Sequence, residues 1–305
     1  MEKKFIYYSE LNKNERTYYY SLCRSYLEDL SCNYPRFDQW FENLFDENQR
    51  LHSEREILFC LSAGKIAGLI IIKDTPEEKK ICTLRVSKWC QRQGIGRALL
   101  KRSIEQLGTK QPLITVHQDQ YFAFTKLFKE FGFILRQKKY DYYSFMGIEY
   151  VFNGFLPERN RHSILLPIHT PYADLIYQKI KKYEFRKKIP SSDIDRIYLY
   201  ETKPAGLITG VVEMKKILKL PLEDLWQQTR EYAGIDKSIF NDYFEGYKTG
   251  YAYQLGQVFR FSDAFSLEEF GISSVMQSFR YLSDESIPFD FILGKREFST
   301  QSFDC

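Results

Sequence analysis

A strand that runs straight into a glycine-containing loop and then into a helix constrains the fold of this chain more than any other feature. The β-branched run Ile81–Val86 precedes Gln91-Arg92-Gln93-Gly94-Ile95-Gly96, and apolar residues then recur at helical spacing as far as Leu107. Glycine lets the backbone turn tightly and approach a ligand, and the free N–H groups at a helix N-terminus attract phosphate. The segment therefore predicts an anion-binding loop, with a simple strand-to-helix turn as the alternative.

Residues 86–99 read Val-Ser-Lys-Trp-Cys-Gln-Arg-Gln-Gly-Ile-Gly-Arg-Ala-Leu. This segment resembles the acetyl-CoA motif of the GNAT family of N-acetyltransferases, V-x-P-x-x-[R/Q]-x-x-G-x-[G/A], with Lys88 where proline is common. The later Phe131-Gly132-Phe133 and the order helix, helix, hairpin, strand, loop, helix over residues 1 to about 152 are also similar to the family. The resemblance implies an acetyltransferase domain on a mixed sheet that splays beside the strand Ile81–Val86.

Acetyl-CoA is the cofactor that this resemblance implies. Its pantetheine would lie along backbone groups of the strand, and its pyrophosphate would sit on amides of the loop, which the Gln91 side chain would brace. The implied cofactor-binding residues are Leu84, Val86, Gln91, Arg92, Gln93, Gly94, Gly96 and Arg97.

The resemblance also implies direct transfer, in which a substrate amine loses a proton and attacks the thioester while a backbone N–H stabilises the oxyanion. In many relatives a tyrosine donates a proton from the position that Phe128 occupies here. The replacement candidates for this catalytic donor are Tyr121, Tyr140 and Tyr143. Each could instead be a packing or surface residue, because the chain has 23 tyrosines. Glu54 or Glu56, acting through water, is a hypothesis for the base, and no residue is assigned to that role.

Positive charge is concentrated in residues 179–188, Lys-Ile-Lys-Lys-Tyr-Glu-Phe-Arg-Lys-Lys, which hold six basic side chains and one acidic one. The whole chain has a net charge of only +4, so this segment exceeds it. In an extended conformation Glu184 and Arg186 share one face, and Lys181 lies on the other. A solvated basic strand is the plain interpretation, whereas cations interleaved with aromatic rings also suit RNA.

Three residues of this segment, Lys181, Glu184 and Arg186, match the motif G-x-K-x-x-E-x-R, and Lys179 replaces the glycine. The segment thereby resembles ASCH domains, which are related to the PUA RNA-binding barrel. The similarity continues in blocks over roughly residues 162–282. It implies a PUA-like β-barrel whose cleft, lined by Lys181, Glu184 and Arg186, receives RNA or a nucleotide-like ligand.

The length of 305 residues favours two domains. We predict an α+β protein with an N-terminal GNAT domain of mixed α/β sheet at 1–152, a polar linker at 153–162 and a PUA-like ASCH β-barrel domain at 163–305. Many short strands and few helices in the second half also suggest a small barrel. The first fifty residues are expected to be helical, because Tyr19, Leu22, Tyr26 and Leu30 recur at the spacing of one buried helix face. A composition that is 44% hydrophobic and 28% charged excludes a disordered chain.

The sequence shows no pattern typical of a targeting segment or of a metal site. The start of the sequence lacks an apolar leader, and the most apolar stretch, 57–72, is interrupted by Gly64 and Lys65, so we expect a cytoplasmic protein without a membrane partner. The six cysteines include no C-x-x-C pair and the four histidines lack ligand spacing, so we expect no metal site. The oligomeric state is left open.

Together these features predict an acetyl-CoA-dependent N-acetyltransferase that its ASCH domain targets to RNA, to a ribonucleoprotein or to an RNA-associated amine. The alternatives are a non-catalytic sensor of acetyl-CoA or of a nucleotide, and an RNA-binding regulatory protein. Phe128, at the position of the usual proton donor, favours the sensor.

Overall fold

The computed structural model describes residues 2–32, 34, 37–46, 54–159, 162–191, 194–274, 278–289 and 292. They fall into two units, divided between Glu158 and Arg159. The predicted domain limits, 1–152 and 163–305, stay a prediction. Within the described ranges no helix is both long and apolar enough to cross a membrane.

The first unit is built on a seven-stranded sheet. Its strands are β1 (Lys4–Tyr7), β2 (Arg55–Ser62), β3 (Lys65–Asp74), β4 (Lys79–Val86), β5 (Leu113–His117), β6 (Leu135–Tyr140) and β7 (Ile148–Phe152). They lie in the order β1-β2-β3-β4-β5-β7-β6. Neighbouring strands are antiparallel except β4 and β5, which are parallel. The mixed sheet expected for this unit is therefore present.

Helices cover both faces of this sheet. They are α1 (Lys13–Leu27), α2 (Phe37–Phe45), α3 (Ile95–Leu107) and α4 (Tyr121–Glu130). Helices α1 and α2 share a buried apolar cluster with Leu69 and Ile71 of β3. Gly68, which directly precedes Leu69, is close to α3 instead. Because successive residues of a strand point to opposite faces, α3 lies on the face opposite α1 and α2.

Two expectations for the N-terminal residues need correction. The first fifty residues were expected to be helical, but Lys4–Tyr7 forms the edge strand β1 and pairs with β2. The buried face of α1 centres on Tyr19, Cys23 and Leu27, one position away from the predicted stripe that continued through Leu22. The reason is that the apolar residues of α1 cover more than half of its circumference, so spacing alone does not select the stripe that packs on the sheet.

The described residues of the second unit form a six-stranded sheet and three α-helices. The strands are β8 (Ser163–Ile168), β9 (Tyr183–Arg186), β10 (Arg196–Glu201), β11 (Leu207–Pro221), β12 (Thr249–Phe265) and β13 (Arg280–Leu282), and the helices are α5 (Thr170–Tyr177), α6 (Leu222–Thr229) and α7 (Lys237–Tyr243). The strand order is β13-β8-β10-β11-β12-β9. One core cluster joins the inner faces of β8, β10 and β12 to α5, and a second joins α6 and α7 to Phe185 of β9.

The sheet of the second unit is open in the described residues, since its end strands β13 and β9 do not pair with each other. It nevertheless curves, because the Arg186 side chain at the β9 edge donates a hydrogen bond to the Pro167 carbonyl of β8 at 2.9 Å. Both units combine strands with helices, so the α+β class expected for the whole chain is confirmed. The closed PUA-like barrel stays a prediction.

Candidate functional site

A split between two parallel strands is the main feature of the first unit. Strands β4 and β5 pair only at Lys80 with Leu113 and at Ile81 with Ile114. Strand β4 continues to Val86 while paired with β3 alone, and β5 continues to His117 while paired with β7. The β4 edge that runs through Leu84 and Val86 therefore borders a gap on its β5 side, and we call this gap the split.

The loop that follows β4 ends in the N-terminus of α3. Its residues Arg92 and Gly94 have positive φ angles of 62° and 78°, and the helix begins at Ile95. The first helical bond runs from the Ala98 N–H to the Gly94 carbonyl, at 3.0 Å. The backbone N–H groups of residues 92–97 donate to no acceptor within the described part of the chain. Unpaired N–H groups together with the helix dipole attract an anion.

The close packing of α3 against the sheet positions this loop. A β-carbon on Gly68 of β3 would lie 2.9 Å from the Arg85 carbonyl oxygen and 3.0 Å from Cγ2 of Ile95. Such distances are too short for any residue except glycine. Because Gly68 has no side chain, the first turn of α3 rests directly on β3, and the loop amides are held at the end of the split.

Residues of the predicted cofactor site make different contacts around the loop. The Gln91 side-chain amide donates to the Val86 carbonyl at 3.4 Å, which ties the loop to β4. The guanidinium of Arg97 forms an ion pair with Glu130 at 2.6 Å. Arg92 is exposed, and the Gln93 carbonyl accepts a hydrogen bond from the Lys3 amine at 2.7 Å. The loop is thus braced by its neighbours, while its N–H groups stay unpaired.

The three tyrosines predicted as proton donors lie in different surroundings. The ring of Tyr121 stacks on Tyr150 with centroids 4.0 Å apart. The Tyr143 hydroxyl accepts a hydrogen bond from the Lys80 amine at 3.1 Å, and Tyr140 ends β6. Phe128, which occupies the usual donor position, is buried in the core. The structure does not bring the three tyrosines together, and the identity of the donor stays a prediction.

The carboxylates suggested as a base are not at the split. Glu56 lies on β2, which β3 separates from β4. Its carboxylate accepts the N–H groups of Ser9 at 3.2 Å and of Ile57 at 2.9 Å. Glu54 lies in the turn before β2 with a φ of 45°.

A different carboxyl group, Glu149 on β7, was missed by the sequence analysis. Its side chain is fully buried, and neither carboxyl oxygen has a hydrogen-bond partner. Burial raises the pKa of Glu149 to about 8, although the positive charge of Lys80 opposes the shift. The signal that could have found it is a single carboxyl residue within the otherwise hydrophobic run Ile148–Phe152. Burial thus favours the protonated form of Glu149 at neutral pH.

Glu149 belongs to a polar cluster on the sheet face that α1 and α2 cover. Burial, followed by the charge of Glu149, raises the pKa of Tyr34. Tyr34 also makes a ring contact with Tyr143, whose hydroxyl binds Lys80. Burial acts to lower the pKa of Lys80, but Tyr143, Cys82 and Glu78 raise it by more. We call Tyr34, Lys80, Tyr143 and Glu149 the polar cluster.

In the second unit the three residues of the basic motif meet in one buried group. Glu184 is 3.4 Å from the Lys181 amine and 2.9 Å from the Arg186 guanidinium. The Lys181 amine also donates to the Ala233 carbonyl at 2.7 Å. Burial lowers the pKa of Lys181, while Glu184 acts to raise it. One carboxylate thus faces two cations. Their role in RNA binding stays a prediction.

Strand alternation placed Lys181 on the face opposite Glu184 and Arg186, and this expectation is wrong. Strand β9 begins only at Tyr183, so the alternation does not extend to Lys181. The stem of Lys181 packs against Gly234, where a β-carbon would lie 2.7 Å from the Lys181 Cβ. This close approach turns the amine toward Glu184.

Two lysines of the same segment, the exposed Lys182 and the half-buried Lys187, contact tyrosine rings. The Lys182 amine is 3.8 Å from the centre of the Tyr232 ring. The Lys187 amine is 5.1 Å from the ring centre of Tyr243 and 4.8 Å from that of Tyr247. All three rings are more than a third exposed. These lysine–tyrosine pairs combine positive charge with accessible aromatic faces. We call them the lysine–tyrosine surface.

A metal site is not found in the residues that the structure describes, since no three His, Cys, Asp or Glu side chains there are close enough to hold an ion.

Comparisons with known proteins match each unit to a different family. Residues 35–151 match the family model of the acetyltransferase (GNAT) domain, and residues 166–261 match that of the ASCH domain. The chain is 27% identical over 97 residues to an ASCH domain-containing ribonuclease of Zymomonas mobilis subsp. mobilis. That match covers 32% of this chain and 66% of the ribonuclease, just under two thirds of its length.

Solved structures of both kinds resemble parts of the chain. The crystal structure of ASCH from Zymomonas mobilis is 23% identical, covers 41% of this chain and 90% of its own, and has a TM-score of 0.39. The PaiA N-acetyltransferase of Thermoplasma acidophilum, solved in complex with coenzyme A, is 15% identical, covers 49% of this chain and 98% of its own, and has a TM-score of 0.36.

Proposed function

We propose that this chain, which contains a GNAT acetyltransferase domain followed by an ASCH domain, transfers the acetyl group of acetyl-CoA to an amine on RNA or on an RNA-associated molecule. The observation that carries the proposal is the set of unpaired N–H groups at residues 92–97, at the end of the split between β4 and β5. Six adjacent N–H donors at a helix N-terminus suit a diphosphate.

The binding mode follows from the two parts of this site. The loop amides bind the diphosphate, and the exposed Arg92 adds a cation beside it. The β4 edge at Leu84 and Val86 faces the split, where backbone groups pair with the amide groups of pantetheine as a neighbouring strand would. The diphosphate and pantetheine together orient the thioester toward the interior of the split.

Acetyl transfer then requires little from the cofactor beyond its thioester. The acceptor amine loses a proton, its nitrogen attacks the carbonyl carbon, the C–N bond forms and the C–S bond breaks. A backbone N–H at the split stabilises the negative oxygen of the tetrahedral state, and such a donor is worth about 10²–10³ in rate. Correct placement of the amine contributes further, because it replaces a bimolecular encounter.

The lysine–tyrosine surface supports RNA as the partner of the ASCH domain. Base stacking on aromatic rings and phosphate contacts with lysine are the general basis of single-strand binding. A curated relative that shares the domain is a ribonuclease. We infer that the ASCH domain holds RNA or a ribonucleoprotein so that its amine is available to the acetyltransferase domain.

A non-catalytic sensor is the second candidate, and one observation favours it: Phe128 fills the usual donor position with an apolar, buried ring. The two functions differ in the release of CoA. Wild-type protein is incubated with labelled acetyl-CoA, total RNA and ribosomes, and mass spectrometry identifies acetylated products. Labelled amides together with free CoA thiol support the enzyme. Acetyl-CoA binding without thiol release above background supports the sensor and contradicts our proposal.

A further inference from the structure

Glu149 on β7 is a buried carboxyl group that the acetyl-transfer scheme above does not use. No part of its side chain is exposed, and both carboxyl oxygens lack a hydrogen-bond donor. A buried polar group without a partner costs free energy, and an ionised one costs far more. The backbone of Glu149 is an ordinary strand position opposite His117. An apolar residue would therefore make this strand more stable, so the carboxyl group has no structural benefit at this position.

The surroundings of Glu149 contain several ionisable groups on the same sheet face. They come from each element packed against it: Lys80 on β4, His117 on β5, Lys139 on β6, Tyr34 before α2 and Tyr143 in the β6–β7 loop. Most of these groups have other partners. Lys80 donates to Tyr143, Lys139 pairs with Glu158, and His117 faces Asp119 at 3.2 Å. Glu149 thus lies among ionisable groups, and its carboxyl oxygens form a hydrogen bond with none of them.

The position of Glu149 places it beside the split. His117, its register partner, is the last residue of β5. Strand β5 has already separated from β4 at this level, because the two strands pair only at Lys80 and Ile81. Glu149 on β7 is therefore next to the end of β5, where β5 and β4 have separated. It lies on the sheet face that α1 and α2 cover.

We propose that Glu149 is the proton acceptor of the acetyl transfer, and this proposal rests on the proposed function. Because its carboxyl group is buried, a bridging water carries the proton from the acceptor ammonium to it. A carboxylate without hydrogen bonds is more basic than one in water, since burial disfavours its charged form. The group is thereby matched to an amine near neutral pH.

The step balances as follows. The acceptor ammonium passes one proton through water to the Glu149 carboxylate, and the free amine attacks the thioester carbon. The C–N bond forms, and the C–S bond breaks as the tetrahedral state collapses. The second proton of the nitrogen goes to the departing thiolate, so that CoA leaves as the thiol. Glu149 then returns its proton to solvent.

The test compares Glu149→Gln with Glu149→Asp and with a control, Glu105→Gln. Glutamine keeps the shape of the side chain but cannot accept the proton. Glu105 is an exposed carboxylate on α3 outside the split. CoA release is measured against pH with total RNA and ribosomes as the acceptor mixture. Acetyl-CoA affinity is measured separately by calorimetry, and infrared difference spectra follow the carboxyl C=O band.

The expected result has three parts. Glu149→Gln lowers the rate of CoA release about 10²-fold or more and removes the rise of that rate with pH. Glu149→Asp keeps part of the rate and of its rise with pH. Acetyl-CoA affinity is unchanged in both variants. The wild-type protein shows a protonated carboxyl band that titrates near pH 8, and Glu149→Gln lacks it, whereas Glu105→Gln keeps both the band and the rate.

Two outcomes overturn the proposal, and they are distinguishable. If wild type and Glu149→Gln release CoA with the same rate and pH profile, Glu149 is not the acceptor and the acetyltransferase function stands. If wild type binds acetyl-CoA but releases no thiol with any acceptor, the proposed function itself fails, and the assignment of Glu149 fails with it.

Discussion

A β-carbon placed on Gly96 would lie 3.5 Å from Cγ2 of Val86. This is an ordinary van der Waals distance, so the second glycine of the loop faces the last residue of β4 with room for one methyl group and little more. Leu127 of α4 is the next neighbour, at 3.8 Å. Position 96 therefore requires a small residue because the space beside the split is limited, and not because of backbone strain.

Gly96 allows a test that separates binding from stability. We expect Gly96→Ala to be as stable as wild type or more stable by about 0.5–1 kcal/mol, since alanine is favoured over glycine in a helix, with acetyl-CoA affinity retained. Gly96→Asp also suits the first turn of a helix, where a negative charge is favourable. It repels the diphosphate, however, and should lose acetyl-CoA binding at least about tenfold. Calorimetric titration and thermal unfolding of both variants check this. Unchanged affinity in Gly96→Asp would mean that the amides do not bind the diphosphate.

Gly94 has a matched control in the hairpin between β2 and β3. Gly94 and Gly64 have φ angles of 78° and 74°, and a β-carbon at either meets no atom within 4 Å. Replacing either glycine with aspartate should cost about 1–2 kcal/mol, because other residues rarely adopt this conformation. Only Gly94→Asp should also abolish acetyl-CoA binding. Calorimetry measures the affinity of both variants, and urea unfolding measures their stability. Equal affinities for the two variants would contradict the anion-binding loop.

The raised pKa of Glu149 predicts how the free energy of unfolding depends on pH. Its pKa is about 8 in the folded protein, against an ordinary value of 4.5. Below pH 4.5 the group is protonated in both states, and its contribution to stability is fully present. Between pH 4.5 and about 8 the unfolded chain ionises first, so the free energy of unfolding falls by up to about 1.4 kcal/mol per pH unit from this group. Glu149→Gln removes this slope.

The measurement is urea unfolding of wild type and Glu149→Gln at a series of pH values from 5 to 8. The stability advantage of the glutamine variant should grow over that range, while Glu105→Gln follows the wild type. A constant difference at every pH would show that Glu149 is ionised at an ordinary pKa.

The lysine–tyrosine surface predicts a salt-dependent contact with RNA. We expect the double variant Lys182→Ala with Lys187→Ala to weaken binding of single-stranded RNA and to reduce the salt slope by about 1.4, because each lost phosphate contact removes about 0.7 counterion from a single strand. Acetyl-CoA affinity should be unchanged.

Fluorescence anisotropy at several salt concentrations measures the slope. Lys203→Ala, an exposed lysine of the same unit without a contact to a tyrosine ring, is the control. Equal slopes for all three proteins would exclude this surface.

The glycine-containing loop after β4 was predictable because its information is local. The predicted strand Ile81–Val86 corresponds to β4, Lys79–Val86, and the predicted helix ends at Leu107 in both cases. Helix α6, Leu222–Thr229, was not predicted. Its residues follow β11 directly, and the sequence offers no Ser, Thr, Asp or Asn cap before Leu222, since the cap position is Pro221.

The sequence by itself determined the loop, its glycines and the helix that follows, and it determined that two kinds of domain share the chain. Their signals depend on neighbouring residues, so they survive without knowledge of the rest of the fold. The family resemblance already implied a sheet that splays beside Ile81–Val86. Only the tertiary structure decided that β4 and β5 pair at just two positions before they separate, that Glu149 is buried without a hydrogen-bond partner and that Lys181 turns toward Glu184. Each of these depends on strands or turns distant along the chain, because burial and pairing are properties of the neighbours that the fold brings together.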